Sequence, residues 1–246
     1  MSKTIILIPS RLAATRLPNK PLLKINDISI INHVYLKAIS SKIGDVFVAT
    51  GDKEIFEEVR KIDGKCVLTE KEHQTGTDRI FEAYQKLGIK DVDYIINLQG
   101  DEPMIDIEDI KNLNNSAIKN KSEIATLACK IKDKKIFNKS NVVKVITDEK
   151  ISMEKMSRAN TFSRVVSSND NSNIYHHIGI YIYKVSILEK FVNLKQTKNE
   201  IDQRLEQLRA FDNNIEINVI LANSSPIGVD TEEDFLELKK IMNYKN

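Results

Sequence analysis

The chain has 246 residues, and its 37 basic and 35 acidic side chains leave a formal net charge of +2. Both signs are spread along its length, which argues against nucleic acid as a partner because no basic patch is present to neutralise many phosphates. Cys66 and Cys129 are distant and lack a Cys-x-x-Cys spacing, which argues against a disulfide framework or structural zinc and points to a reduced, cytoplasmic setting.

The first apolar run, Thr4 to Ile8, is too short for a secretion signal, and no stretch approaches the ~20 apolar residues that cross a bilayer, so no membrane insertion is expected. Ile5 to Ile8, ended by Pro9, reads as a strand buried on both faces of a parallel sheet. Ile30, Ile31, Val34, Tyr35, Ala38 and Ile39 recur at helical spacing, and Val46 to Ala49 is the next strand. A helix from Asp52 to Ile62, a strand from Lys65 to Leu68, a helix from about Thr77 to Lys86 and a strand from Tyr94 to Leu98 continue the alternation, which implies an open, mostly parallel α/β sheet.

The later half is less regular. Ile124 to Ile131, Val142 to Thr147 and Ile178 to Tyr183 read as strands, Leu205 to Phe211 as a helix, Ile215 to Leu221 as a strand and Thr231 to Met242 as an amphipathic helix. Between them, the polar stretch Ser157 to Asn173 reads as loop or as an arm outside the sheet.

Chemistry first appears in the loop after strand one, Pro9-Ser-Arg-Leu-Ala-Ala-Thr-Arg-Leu-Pro-Asn-Lys-Pro-Leu22. Ligands in α/β sheets bind beyond the carboxyl ends of strands. Here Arg11, Arg16 and Lys20 sit on a segment restrained by Pro18 and Pro21, an arrangement suited to a triphosphate. The eight glycines form neither Gly-x-Gly-x-x-Gly nor a P-loop, so side-chain cations take the place of a glycine nest.

This loop resembles the Pro-Ala-Arg-x-x-Ser-Thr-Arg-Leu-Pro-Gly-Lys-Pro-Leu signature of the CMP-KDO synthetases, cytidylyltransferases that act on 3-deoxy-manno-octulosonate (KDO). It departs at Ser10, Ala14 and Asn19, and Asn can take the left-handed backbone that glycine would supply. Further segments resemble that family in order: His73-Gln-Thr-Gly-Thr-Asp-Arg79, Leu98-Gln-Gly-Asp-Glu-Pro103, Ser157-Arg-Ala159, His177-Ile-Gly-Ile-Tyr181, Leu205-Glu-Gln-Leu-Arg209 and Gly228-Val-Asp-Thr231. The residues alone also allow plainer readings, with Thr77 as a helix N-cap and Asp230 paired with Glu233 in a capping box.

The resemblance implies a nucleotide-diphospho-sugar-transferase-like α/β fold with a mixed central sheet and a small dimerisation arm. It divides one cytidylyltransferase domain into a nucleotide half, about 1–125, and a sugar-binding and dimerisation half, about 126–246. It implies transfer of CMP from CTP to KDO, with release of pyrophosphate, activating KDO for lipopolysaccharide biosynthesis in a cytoplasmic homodimer. Lys20, Arg11, Asp101 and Asp230 would be catalytic, with Asp101 and Asp230 holding Mg²⁺. Arg11, Arg16, Lys20, Thr75, Gly76, Thr77, Asp78, Arg79 and Gln99 would bind the nucleotide. Gln99, Arg158, His177, Tyr181, Glu206 and Gln207 would bind the sugar acid. The family's Ile-Pro-aromatic segment after Ser-Arg-Ala is replaced by Asn160-Thr-Phe-Ser-Arg164, so Arg164 receives no role. A related acceptor such as an 8-amino sugar acid stays open.

Overall fold

A computed structural model describes residues 2–13, 16–166, 173–225 and 228–243. Ala14 and Thr15 of the first loop, and residues 167–172 of the expected arm, lie outside the described residues. The chain forms two compact units: residues 3–110 with the chain from 226 onward, and residues 111–225. The boundary thus falls before residue 125, and the last helix joins the first unit.

In the first unit, β1 (Thr4–Ser10) is buried along its whole length, as its unbroken apolar run requires. A hairpin of β2 (Lys24–Ile25) and β3 (Ile28–Ser29) turns through Asn26 and Asp27, both with positive φ. That is the conformation short hairpins favour and that Asn and Asp tolerate. Then come α1 (Ile30–Ser40), β4 (Val46–Thr50), α2 (Lys53–Arg60), β5 (Cys66–Leu68), α3 (Gly76–Leu87) and β6 (Tyr94–Asn97). The strands run in the order β5-β4-β1-β6 and all pair in parallel, with Ile6 opposite Val46 and Thr4 opposite Tyr94. The expected alternation of strands and helices is therefore present, with ends shifted by at most two residues.

The chain leaves this unit within α4 (Ile107–Asn120). The second unit holds β7 (Ile124–Lys130), β8 (Lys144–Thr147), β9 (Ser157–Ser163), β10 (Asn173–Lys184), α5 (Val185–Val192), α6 (Lys198–Gln203), α7 (Leu208–Asp212) and β11 (Ile217–Leu221). Its pairings run β10-β7-β11-β9-β8, and β8 also pairs with β10, so they close on themselves. Only β7 and β11 pair in parallel; the other pairs are antiparallel.

Two expectations need correction here. Ser157 to Ser163, read as loop or arm, is a strand paired with β8 and β11, with Ser157 and Ala159 buried and Arg158 and Asn160 exposed. Helical structure expected from Leu205 begins only at Leu208, after the separate helix α6.

The final helix, α8 (Glu232–Asn243), packs into the first unit. Ile25, Ile30, Val229 and Leu238 form a buried cluster, against which Leu17, Leu23, Met104, Phe235 and Met242 pack. This cluster holds the loop after β1 and the segment before α8 in one apolar core. Among the described residues no helix is long and apolar enough to cross a membrane.

Candidate active site

A cavity of about 360 Å³ lies in the first unit, lined by the end of β1 and its loop, the start of α3, the turn after β6 and Asp230. Its backbone needs close approach: a Cβ at Gly100 would stand 3.0 Å from the Pro9 carbonyl oxygen, and one at Gly76 3.3 Å from the Pro9 ring. The loop after β1 is anchored where Leu12 N donates to Asp52 Oδ2 at 2.8 Å. Asn19 sits at φ 56°, the left-handed conformation foreseen for it, and starts a single tight turn over Lys20–Leu22. That turn fixes the base of Lys20.

Lys20 Nζ lies 2.6 Å from Asp101 Oδ2 and 3.3 Å from Asp230 Oδ1. The two aspartates come from positions far apart in the chain, yet Val229 N donates to Asp101 O at 3.0 Å and ties the segments together. Arg16 reaches Asp230 from outside, Nη2 to Oδ2 at 3.2 Å, with both side chains more than half exposed. A pair of this kind contributes about 0–1 kcal/mol, so Arg16 can be drawn to another anion at little cost.

The capping box at the start of α8 lies one residue later than the sequence suggested. Thr231 and Asp234 form it, and Asp230 gives only its backbone N–H, to Asp234 Oδ2 at 3.0 Å. The carboxylate of Asp230 is left for the cations.

Beside this pair stands a residue the sequence reading passed over. Glu102 is half-buried, its Oε2 is enclosed with no hydrogen-bond partner among the described residues, and its pKa is pushed up to about 8 by loss of water around the carboxyl and then by Asp101 and Asp230. Part of that rise comes from the two aspartates, whose negative potential at this corner favours added positive charge. Among the described residues no set of three or more His, Cys, Asp or Glu is arranged to hold a metal. Asp101 and Asp230 converging on one ammonium nevertheless fit Mg²⁺, which is typically held by one or two carboxylates with substrate phosphates and water completing the shell.

On the opposite wall, the His73–Arg79 segment starts α3. Thr75 is the N-cap and shares a reciprocal box with Asp78: Asp78 N donates to Thr75 Oγ1, and Thr75 N to Asp78 Oδ2, each at 3.1 Å. The cap is therefore Thr75 rather than Thr77. Thr77 is buried, with Asn97 Nδ2 donating to its hydroxyl at 3.4 Å. Arg79 lines the cavity, but its guanidinium is buried and donates to Thr69 Oγ1, Glu70 O and Lys71 O at 2.6, 3.0 and 2.9 Å. Of the nine nucleotide candidates, Arg11, Arg16, Lys20, Thr75, Gly76, Arg79 and Gln99 line the cavity, whereas Thr77 and Asp78 support it from behind.

His73, the first residue of the same motif, also lines the cavity. Its Nε2 lies 2.6 Å from Glu82 Oε2, and Glu82 in turn accepts from Lys86 and Glu70 N. This carboxylate holds the imidazole's orientation, a signal that lay in the sequence as His73 and Glu82 without any spacing rule to connect them.

The sugar candidates of the second unit fall in more than one place. His177 and Tyr181 are adjacent on β10, their rings 5.4 Å apart across a register shift between Ile178 and Tyr181. Thr126 Oγ1 donates to Ile180 O at 2.7 Å, so His177 Nε2, 3.0 Å from that oxygen, donates to it. The Phe162 ring meets His177 edge-on at 5.0 Å. Burial holds His177 down to about 3, with His176 adding to the shift. The Tyr181 hydroxyl is buried without a hydrogen-bond partner among the described residues; burial, Tyr183 and the Glu206 carboxylate all raise its pKa. Glu206 and Gln207 lie between α6 and α7. Arg158 instead lines a separate cavity of about 190 Å³ with Phe211, Asn214 and Glu216. Gln99 belongs to the first unit's cavity, 3.4 Å from Asn97 Oδ1.

Comparison with known proteins places this geometry in context. Residues 5–217 match the cytidylyltransferase family. A 3-deoxy-manno-octulosonate cytidylyltransferase of Thermodesulfovibrio yellowstonii is 41% identical over 250 residues, covering 98% of both chains. One from Agrobacterium fabrum is 38% identical, covering 98% of this chain and 95% of its own. The solved structure of a CMP:2-keto-3-deoxy-manno-octonic acid synthetase complexed with CTP superposes with a TM-score of 0.90 at 32% identity, covering 100% of both chains. A UDP-glucose pyrophosphorylase, at 14% identity and a TM-score of 0.69, shares the fold alone.

Proposed function

The chain belongs to the 3-deoxy-manno-octulosonate cytidylyltransferase family, and from that premise we propose that it transfers CMP from CTP to KDO and releases pyrophosphate, activating KDO for lipopolysaccharide biosynthesis. The observation that carries this reading is the convergence of Asp101 and Asp230 on Lys20 in a cavity that Arg11 and Arg16 also line.

In this reading the anomeric hydroxyl of KDO forms a bond to the α-phosphorus of CTP and gives up its proton to solvent, the bond to the bridging oxygen breaks, and pyrophosphate leaves with the electron pair. The protein's part is to position and to neutralise charge, since such transfers need little covalent help. Lys20 is held on a fixed turn and is aimed at the α-phosphate. Arg11 and Arg16 grip the outer phosphates, and Thr75, Gly76 and Gln99 enclose the base and ribose. Asp101 and Asp230 would hold Mg²⁺, which when bound adds positive charge beside the phosphates and lowers the pKa of a ligated hydroxyl.

On the sugar side, the orphan Tyr181 hydroxyl supports a ligand rich in hydroxyl groups, because an unpaired buried hydroxyl costs free energy that such a ligand recovers. Glu206, Gln207 and His177 are assigned to the same acceptor, whereas Arg158, which lines a separate cavity, is not. We further read the protein as a cytoplasmic homodimer, as the family resemblance implies. The test is release of pyrophosphate from CTP and Mg²⁺ in the presence of KDO, with 8-amino and sialic-type sugar acids alongside. Absence of release with KDO, or equal release with ATP in place of CTP, would overturn the assignment.

A further inference from the structure

Two cations of the second unit are bonded to main-chain oxygens. Lys144, the largest fully buried side chain, donates from Nζ to Lys139 O at 2.9 Å, to Val142 O at 2.6 Å and to Arg164 O. Burial, and then the Arg164 charge, pull its pKa below the ordinary lysine value. A buried ammonium is costly unless its donors are satisfied, so three carbonyls gathered around one Nζ mark a fixed point of the fold.

Arg164 continues the chain of contacts. Its Nη1 donates to Ser140 O at 3.0 Å, its Nε to Gln203 O at 2.8 Å and its Nη2 to Arg204 O at 3.0 Å. The planar guanidinium thus grips two consecutive carbonyls where α6 ends. Arg204 is there in the left-handed conformation, at φ 53°. That conformation is unfavourable for a residue with a side chain and persists only where the surroundings hold it. Immediately beyond come Leu205, Glu206 and Gln207, whose backbone is tied by Leu205 N to Glu200 O at 3.2 Å and by Glu206 O and Gln207 O accepting from α7.

We propose that Arg164 and Lys144 are positioning residues: Lys144 fixes the main chain at Arg164, Arg164 holds the left-handed turn at Arg204, and the turn sets Glu206 and Gln207 for the sugar acid. The last link rests on the sugar-binding role given to those two residues above. Arg164 works through the backbone and not through the substrate. This explains how the segment Asn160-Thr-Phe-Ser-Arg164 can replace the family's Ile-Pro-aromatic sequence: what it must preserve is the carbonyl of Arg164 and the reach of its guanidinium.

The experiment uses the full-length protein with Arg164→Gln, Lys144→Met, Arg204→Gly and the Arg164→Gln/Arg204→Gly double variant. Hydrogen exchange in the free protein should accelerate at the amides of residues 204–208 in Arg164→Gln, and unchanged exchange there overturns the clamp whatever the substrate proves to be. In steady-state kinetics, Arg164→Gln should lower kcat/KM for KDO on the order of 10- to 100-fold, the scale of a misplaced substrate contact. The KM for CTP should stay unchanged. Glycine enters the left-handed region freely, so Arg204→Gly in the Arg164→Gln background should restore much of the loss. A double variant no better than the single one means that Arg164 acts by touching the substrate, and the inference fails. Lys144→Met should show the same selective loss; a drop in Tm with kcat/KM for KDO intact assigns it to stability alone and overturns its part. Failure of the proposed function would appear in the wild type, as no turnover with KDO, and leaves the exchange measurement to decide the clamp.

Discussion

Thr231 and Asp234 exchange hydrogen bonds at the start of α8, Thr231 N donating to Asp234 Oδ2 at 2.9 Å and Asp234 N to Thr231 Oγ1 at 3.2 Å. Because they cap the helix, the side chain of Asp230 is spared for charge. Asp230→Asn should therefore unfold within a few degrees of the wild type while losing most turnover, and Asp101→Asn should do likewise. Thermal unfolding beside rates measured at limiting Mg²⁺ checks this, and near wild-type rates in both variants would remove these residues from a metal site.

Lys20 and Arg16 are expected to differ in kind. The side chain of Lys20 is 13% exposed and held on a fixed turn, whereas that of Arg16 is 62% exposed. A preorganised charge that acts in the transition state appears in kcat, and a mobile one that grips bound nucleotide appears in KM. Lys20→Ala should lower kcat on the order of 10² to 10³. Arg16→Ala should chiefly raise the KM for CTP. A change confined to KM in Lys20→Ala would make Lys20 a binding residue.

The same contacts imply a competition. Lys20 occupies the space between two carboxylates in the free protein, so Lys20→Met should bind Mg²⁺ more tightly than the wild type when no nucleotide is present. Calorimetric titration of metal into both proteins measures this, and equal affinities would show that the ammonium does not oppose the ion.

Packing at the cavity floor makes Gly100 sensitive for a different reason. The methyl of Gly100→Ala would press on the Pro9 carbonyl oxygen at 3.0 Å, and backbone cannot swing aside as a side chain can. The expected cost is about 1–3 kcal/mol of stability, with a raised KM for CTP because Pro9 leads into the cation loop. Chemical denaturation and CTP kinetics report the two effects; a silent substitution would mean that the floor yields.

His177 gives a signed dependence on pH. Its folded value, about 3, lies below the ordinary 6.5, so the unfolded chain takes up the proton first as pH falls. Its contribution to stability is full above about pH 6.5 and is lost on acidification toward 3, by up to about 1.4 kcal/mol per pH unit for one proton. His176, lowered by burial and by Lys144, acts in the same direction. His177→Asn should flatten the loss between pH 6.5 and 4 in urea unfolding, and an unchanged slope would refute the assignment.

What the residues disclosed and what they concealed follows from physical range. Long apolar runs such as Ile5–Ile8 and Ile95–Ile96 announce their strands because burial on both faces leaves no polar position. The left-handed turn at Asn19 could be read locally, since Asn is among the few residues that tolerate it. β9 escaped notice because Ser157 and Ala159 face inward and Arg158 and Asn160 outward, so small or polar side chains occupy both faces and the alternation carries little hydrophobic contrast. α6 has its own signal, the Thr197–Glu200 capping box, but few apolar positions follow it. The caps at Thr75 and Thr231 were displaced because neighbouring Thr and Asp residues offer several oxygens, and only backbone geometry selects one. Arg79, Arg158 and Arg164 show the largest gap: an arginine suits a phosphate or carboxylate as well as it suits a ring of carbonyls, and which one it meets depends on distant chain.

The membership of α8 in the first unit has a consequence for biosynthesis. Residues 3–110 emerge from the ribosome early, but Val229 and Leu238 of the shared core, and Asp230 itself, emerge only after more than a hundred further residues. At about 5–20 residues per second that interval is several seconds or longer. Through it the nascent chain carries the loop of Lys20 over an uncovered patch at Ile25 and Ile30, with Asp101 as the carboxylate partner of Lys20 and no second one yet made. Competence for the reaction proposed here therefore arrives late in translation, when α8 closes over the earliest part of the chain.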